Sequence, residues 1–273
     1  MLRFFLIQLI CLLLSLELSY AQKLIRFSAI PYKPREELIV HYLPLLKLLE
    51  SKLGVKFEFV CTESYDDFLN RFIKGEVDII VSGPLPYYTH VIKKGYKHIQ
   101  PVAFLNEADG RSSYRCYLVV PEDGPKSIKE LKGPFALPQK MSTCGYFSLS
   151  VILSKAGKSV DSFKYTFFNT HHEAFESMLR NEHKAVVVKD SVALQYVKGY
   201  PVKVIAQSPP WPAFVLAVNT KNLKSDFIER LSSTLFSLSP QELRTLVEGK
   251  YGFTPASNKD FEIFKNYEAH LPK

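Results

Sequence analysis

The stretch VKFEFVCTESYDDFLNRFIKGEVDIIVSG, residues 55–83, decides the fold. Val55 to Val60 is rich in β-branched and aromatic side chains, as a strand is. Tyr65 to Ile73 then repeats apolar residues at helical spacing, Gly75 stops it, and Val77 to Ser82 is a second apolar run. Strand, helix and strand joined this closely form a crossover unit, and such a crossover leaves its two strands parallel. Upstream, Leu24 to Ile30 reads as another strand. Pro34 to Leu53 reads as a helix with Leu38, Tyr42, Leu45, Leu49 and Leu53 on one stripe, and Pro44 inside it implies a kink or a helix that starts there. Downstream come a helix over Tyr88 to Lys94 and a strand over Ile99 to Leu105. The whole βαβαβαβ run predicts parallel strands with helices on both faces.

Asn106 to Ser113 interrupts the pattern with polar residues and Gly110, and a second set follows. Tyr114 to Val120, Phe135 to Leu137, Phe163 to Phe168 and Lys184 to Val188 read as strands, with helices over Gly145 to Ala156, Glu173 to Arg180 and Val192 to Val197. Val202 to Ala206 and Phe214 to Asn219 are strands flanking a Pro-rich Ser208–Pro212 stretch, and the tail from Lys224 reads as helical. The expected architecture is α/β: two lobes joined by a two-strand hinge, with ligand in the cleft between them. Residues 22–113 would build lobe 1, 114–206 lobe 2, and 207–273 the hinge return and C-terminal helices that pack on lobe 1. In open α/β sheets ligands sit beyond the carboxyl ends of the strands, so the lobes would meet across a cleft there.

Composition agrees with a globular chain: 273 residues, 47% apolar, 23% charged, net charge +8. Arg3 followed by the apolar run Phe4 to Leu14 and by Ser19-Tyr20-Ala21 reads as a secretory signal over residues 1–21, cut before Gln22. The alternative, a retained anchor, is disfavoured because the run is short of the roughly 20 residues that span a bilayer. The exported chain is expected to be periplasmic or secreted, and monomeric. Cys61, Cys116 and Cys144 remain, an odd number, so at most one disulfide forms. The lysines are scattered and no base-stacking motif occurs, which argues against nucleic acid.

Ser142, Thr143 and Cys144 stand where a helix opens, followed by Gly145. Hydroxyls at such a place either cap the helix or join its unpaired amides in an anion site, and a glycine there lets a bulky anion approach the backbone. Tyr32 and Tyr87 sit past strand ends, where a phenol can donate to an oxyanion. Asp78 reads as a turn-capping carboxylate. His171-His172 lacks metal-site spacing, so neither a metal nor a cofactor is expected. A thiol at a helix start has a lowered pKa, which raises a secreted cysteine-dependent enzyme with Cys144 as nucleophile and His172 as base. In that enzyme Cys144→Ser abolishes turnover, whereas in an anion-binding protein it leaves binding intact.

The order Ile30-Pro31-Tyr32, Leu49-Glu50 through Gly54, Tyr65, Gly75-Glu76-Val77-Asp78, Ser82-Gly83-Pro84 to Tyr87, Ser142-Thr143-Cys144-Gly145 and His172-Glu173 resembles the phosphate/phosphonate/phosphite-type (PhnD-like) solute-binding proteins of ABC importers. The resemblance implies a type II periplasmic-binding fold closing on a small oxyanion and delivering it to a membrane permease. It assigns oxyanion contacts to Ser142, Thr143, Tyr32, Tyr87 and His172. Cys144 replaces the third hydroxyl of the family's helix start. Ala185 stands where relatives carry an acidic residue, for which Asp190 could substitute. The family also includes sensors that report oxyanions, arsenic species among them, to a histidine kinase, and Cys116 and Cys144 suit that branch.

Overall fold

The computed structural model describes residues 23–272; the signal segment read at residues 1–21 lies outside them. Two sheets carry the architecture. The first contains β1 (Leu24–Ala29), β2 (Lys56–Phe59), β3 (Ile79–Ser82), β4 (Ile99–Leu105), β12 (Val215–Asn219) and β13 (Phe253–Pro255) in the order β13-β4-β12-β3-β1-β2. The second contains β6 (Cys116–Pro121), β7 (Phe135–Leu137), β8 (Tyr165–Phe167), β9 (Ala185–Lys189) and β10 (Val202–Gln207) in the order β10-β6-β9-β7-β8. A two-strand ribbon, β5 (Ser113–Tyr114) against β11 (Trp211–Pro212), lies between them in the chain path and forms the hinge.

The wholly parallel sheet expected from the alternation is corrected. β1, β2 and β3 are parallel neighbours, but β12 enters antiparallel between β3 and β4. The returning hinge strand takes the central position that a local pattern would give to β4. A tail of helices alone is also corrected, because β13 adds an antiparallel edge to β4.

Helix α1 (Arg35–Leu53) buries Leu38, Tyr42, Leu45, Leu46, Leu49 and Leu53 and stops at Gly54, whose φ of 69° is the left-handed cap that glycine adopts at least cost. Pro44 neither starts nor interrupts it. The carbonyl that Pro44 leaves unpaired belongs to Val40, which is exposed, so water can satisfy it. Helix α2 (Tyr65–Lys74) is capped by Ser64, whose side chain accepts the Asp67 N–H at 3.1 Å. After β3 the chain makes a short helix, α3 (Pro84–Tyr87), running into a wide turn over Tyr88–Ile92.

In lobe 2 the expected helix from Gly145 is split. Thr143–Phe147 is a wide turn with non-helical backbone at Cys144 and Gly145, and α4 begins only at Ser148 and ends at Ser154. Helix α5 (His171–Leu179) opens two residues before the expected Glu173 because Thr170 and Glu173 cap it reciprocally. Helix α6 (Asp190–Val197) follows β9 directly.

Helix α7 (Ser225–Phe236) packs on α1, β4 and β13, and a short α8 (Pro240–Arg244) follows. The final segment, Asn258–His270, crosses both lobes and the hinge. Phe264 stacks on Trp211 at 5.2 Å between ring centres and on Tyr88 of lobe 1 at 5.1 Å. Glu268 accepts the Tyr88 hydroxyl, and His270 Nδ1 lies 2.9 Å from Ser150 Oγ of lobe 2. One apolar cluster therefore runs continuously from lobe 1 through the hinge into lobe 2, and separate clusters fill the opposite faces of the two sheets.

Asp78 is structural. Its carboxylate takes Arg26 Nη2 at 2.7 Å, Arg26 Nε at 3.1 Å and Asn222 Nδ2 at 2.7 Å, which ties β1 to the start of β3 and the residues after β12.

Candidate functional site

A cavity of about 1150 Å³ opens between the lobes. Lobe 1 lines it with the ends of β1 and β4, Tyr65 at the start of α2, and the segment Val247–Tyr251. Lobe 2 lines it with Met141–Cys144, Thr170–His172 and the start of α6. The hinge supplies Tyr114, and Phe214 lies just before β12.

His171 sits at the floor of this cleft. Its Nδ1 lies 3.1 Å from the backbone N–H of Lys189 and accepts it, which places the ring proton on Nε2. Nε2 lies 3.3 Å from Ser142 Oγ and donates to it. With its lone pair engaged, the Ser142 hydroxyl can turn its own proton to the cleft. Burial, with the positive charges of Lys189 and His172 acting in the same direction, lowers the His171 pKa to about 3, so the ring stays neutral.

The linkage to stability follows from that sign. Between pH 6.5, the ordinary histidine value, and about 3, the unfolded chain binds a proton that the folded chain refuses. The stability associated with neutral His171 is complete above this window and is lost as pH falls through it. Urea midpoints across this range should therefore decline more steeply for the wild type than for His171→Asn; equal pH slopes would contradict it.

The histidine expected at this point was His172, and the structure brings both His171 and His172 to the cleft wall. His172 lines the cleft, but its Nδ1 pairs with the Tyr196 hydroxyl at 3.1 Å, while its neighbour meets Ser142. The capping box at Thr170 and Glu173 sets where α5 opens, and its T-x-x-E spacing was readable in the sequence.

The other candidate residues divide. Thr143 lines the cleft, but its Oγ1 accepts the Leu85 N–H of lobe 1 at 3.2 Å and is buried. Cys144 is joined to Cys116 of β6 by a disulfide, leaving Cys61 as the free cysteine among the described residues. This corrects the expectation of a Cys144 nucleophile, since each sulfur is consumed by the other. Gly145 does not line the cleft. A Cβ there would lie 3.1 Å from the Gln139 carbonyl oxygen and 3.2 Å from that of Pro138, so the missing side chain admits the chain's own backbone rather than an anion. Gly145→Ala should cost about 1–3 kcal/mol, the usual range for overpacking, and a urea midpoint equal to wild type would contradict this.

Tyr32 lines the cleft, packs edge-on against Phe214 at 5.7 Å, and donates its hydroxyl to Glu248 Oε1 at 2.7 Å. Burial, then Tyr42 and the Glu248 charge, push its pKa well up, so the phenol keeps its proton. Tyr87 is corrected: it is fully buried against Phe261 and is absent from the cleft wall. Tyr65 and Tyr114 line the cleft instead, the first at a strand-to-helix turn where the carboxyl-end rule could have located it. Asp190 also lines the cleft. Its carboxylate accepts the backbone N–H of Arg115 at 3.1 Å and of Ser191 at 2.8 Å, joining α6 to the hinge side of β6.

Two lobes on mixed sheets, a ribbon hinge and a polar cleft at the strand ends define a type II periplasmic-binding protein. The profile described as "ABC transporter, phosphonate, periplasmic substrate-binding protein" matches residues 27–261, and the chain belongs to that family. The phosphate-import protein PhnD of Mycolicibacterium smegmatis is 31% identical over 111 residues, a match covering 40% of this chain and 34% of that protein's length. The structure of PhnD1 from Prochlorococcus marinus in complex with methylphosphonate superposes with a TM-score of 0.76 at 17% identity, covering 91% of this chain and 98% of that one. A binding protein component of an ABC phosphonate transporter from Pseudomonas aeruginosa gives 0.73 at 18% identity, covering 90% and 86%. At these identities the two structures share the fold.

Proposed function

We propose that this protein captures a small oxyanion of the phosphonate, phosphite or phosphate class in the interlobe cleft and, once the lobes close, delivers it to the membrane permease of an ABC importer. Export through the signal read at residues 1–21 would place it beside that permease. The observation that carries the reading is the His171–Ser142 pair on the cleft floor, a neutral donor relay aimed at the cavity. Thr143 and Asp190 line the same cleft and would complete the ligand contacts, Asp190 as the acceptor for a ligand O–H. Tyr32 serves as wall rather than donor, because its proton belongs to Glu248.

A hydrogen bond to a charged group contributes about 1.5–3 kcal/mol, so a few such donors reach the roughly 8 kcal/mol of micromolar binding before ordering costs. Calorimetric titration with phosphate, phosphite, methylphosphonate and sulfate tests the reading. At least one phosphorus oxyanion should bind at micromolar concentration, and Ser142→Ala should weaken it by about 10- to 100-fold. Heatless titrations that also leave the melting temperature unmoved would contradict it.

A further inference from the structure

We propose that Lys189 fits this cleft to doubly charged oxyanions, and that Glu107 is the internal anion holding its ammonium group in place until such a ligand arrives. The inference rests on the function proposed above and names the charge class that the site selects.

Lys189 ends β9, and its backbone N–H is the donor that orients His171. Its side chain crosses from the second sheet toward the first. Nζ lies 4.7 Å from the centre of the Tyr114 ring and 5.7 Å from that of Phe214, and ends 2.6 Å from Glu107 Oε1, beyond β4. The positive charge of Lys189 bears on the His171 ring, and Tyr114, whose ring it overlies, lines the same cleft as Ser142 and Thr143. All of these residues line the cavity. Of the other cleft cations, Lys33 is paired with Glu37 on its own segment, and Arg111 is held at 2.5 Å by Asp109 and lies 3.9 Å from Asp190. Lys189 makes its close pair across the lobes, at 21% side-chain exposure against 15% for Glu107.

Such a pair contributes little to stability, because removing two charges from water offsets their attraction, and an uncharged pair of the same volume would hold the lobes equally well. It does leave a cation next to the donor relay at no further desolvation cost when an anion enters. Glu107 is a poor permanent partner: burial pushes its pKa up even with Lys189 opposing the shift. A dianion offers the ammonium twice the charge of a carboxylate. A monoanion of the same shape offers no such gain.

The test compares methylphosphonate, above its second ionisation, with the singly charged methanesulfonate. It uses wild type, Lys189→Met, Glu107→Gln and the double variant, with melting temperatures recorded for each. Methionine keeps an apolar stem over the two rings, and the double variant leaves no unpaired buried charge. Lys189→Met should weaken methylphosphonate by about tenfold or more while methanesulfonate changes by less than about threefold, an order set by one charge-assisted contact. Glu107→Gln should tighten methylphosphonate, and the double variant should remain as weak as Lys189→Met. The proposal is overturned if either variant lacking the lysine keeps wild-type affinity, if both ligands weaken together, or if Glu107→Gln weakens methylphosphonate. If the wild type binds no phosphorus oxyanion at all, the functional reading fails first and this proposal falls with it.

Discussion

Trp211→Ala is expected to lower the stability of the protein by about 3–5 kcal/mol, the usual cost of emptying a large buried aromatic site. Trp211 is fully buried in the hinge ribbon. It lies 5.1 Å from the Phe147 ring of lobe 2, stacks on Phe264 of the tail, and donates Nε1–H to Ser148 Oγ at 2.9 Å. Removing the indole leaves a cavity that three separate segments would have to collapse around, together with a hydroxyl that loses its donor. Since Phe264 also packs on Tyr88 of lobe 1, the loss should spread to the tail. Proteolysis should then cut within residues 258–270 before it cuts elsewhere. An unfolding free energy from urea titration within about 1 kcal/mol of wild type would show that the tail does not brace the hinge.

The second large effect concerns the disulfide. Replacing Cys116 and Cys144 together by alanine should cost about 3.5 kcal/mol, from loop-closure entropy for the separation of 28 residues. It should also weaken oxyanion binding, because the bond pins the turn that carries Ser142 and Thr143 to strand β6 next to the hinge. The expectation that Cys144→Ser leaves binding intact is replaced accordingly, since serine there strands Cys116 in a fully buried position. Reduction by dithiothreitol should reproduce both losses in the wild type and neither in the double variant. A reduced wild type with unchanged melting temperature and affinity would contradict the account.

Legibility followed the range of the interactions involved. β4 and β7 match their sequence-derived bounds, and α1 differs by one residue, because periodicity and end signals such as Gly54 are local. The insertion of β12 between β3 and β4 was hidden, since nothing near residue 215 records which strands it pairs with. β13 is three residues long and carries no period. In the site, Ser142 and its neighbours were found from a strand-to-helix turn. Tyr87 was misplaced because a tyrosine after a Gly-Pro turn reads alike whether its ring faces the cleft or Phe261. The Lys189–Glu107 pair joins residues 82 positions apart through side chains alone, and no spacing rule reaches it.

Small-angle X-ray scattering of the protein titrated with methylphosphonate, phosphite and phosphate addresses the central claim. Saturation with the ligand that binds should reduce the radius of gyration as the two lobes come together over His171 and Ser142. A radius that stays constant at saturation, with ligand demonstrably bound, would contradict a cleft that works by closing.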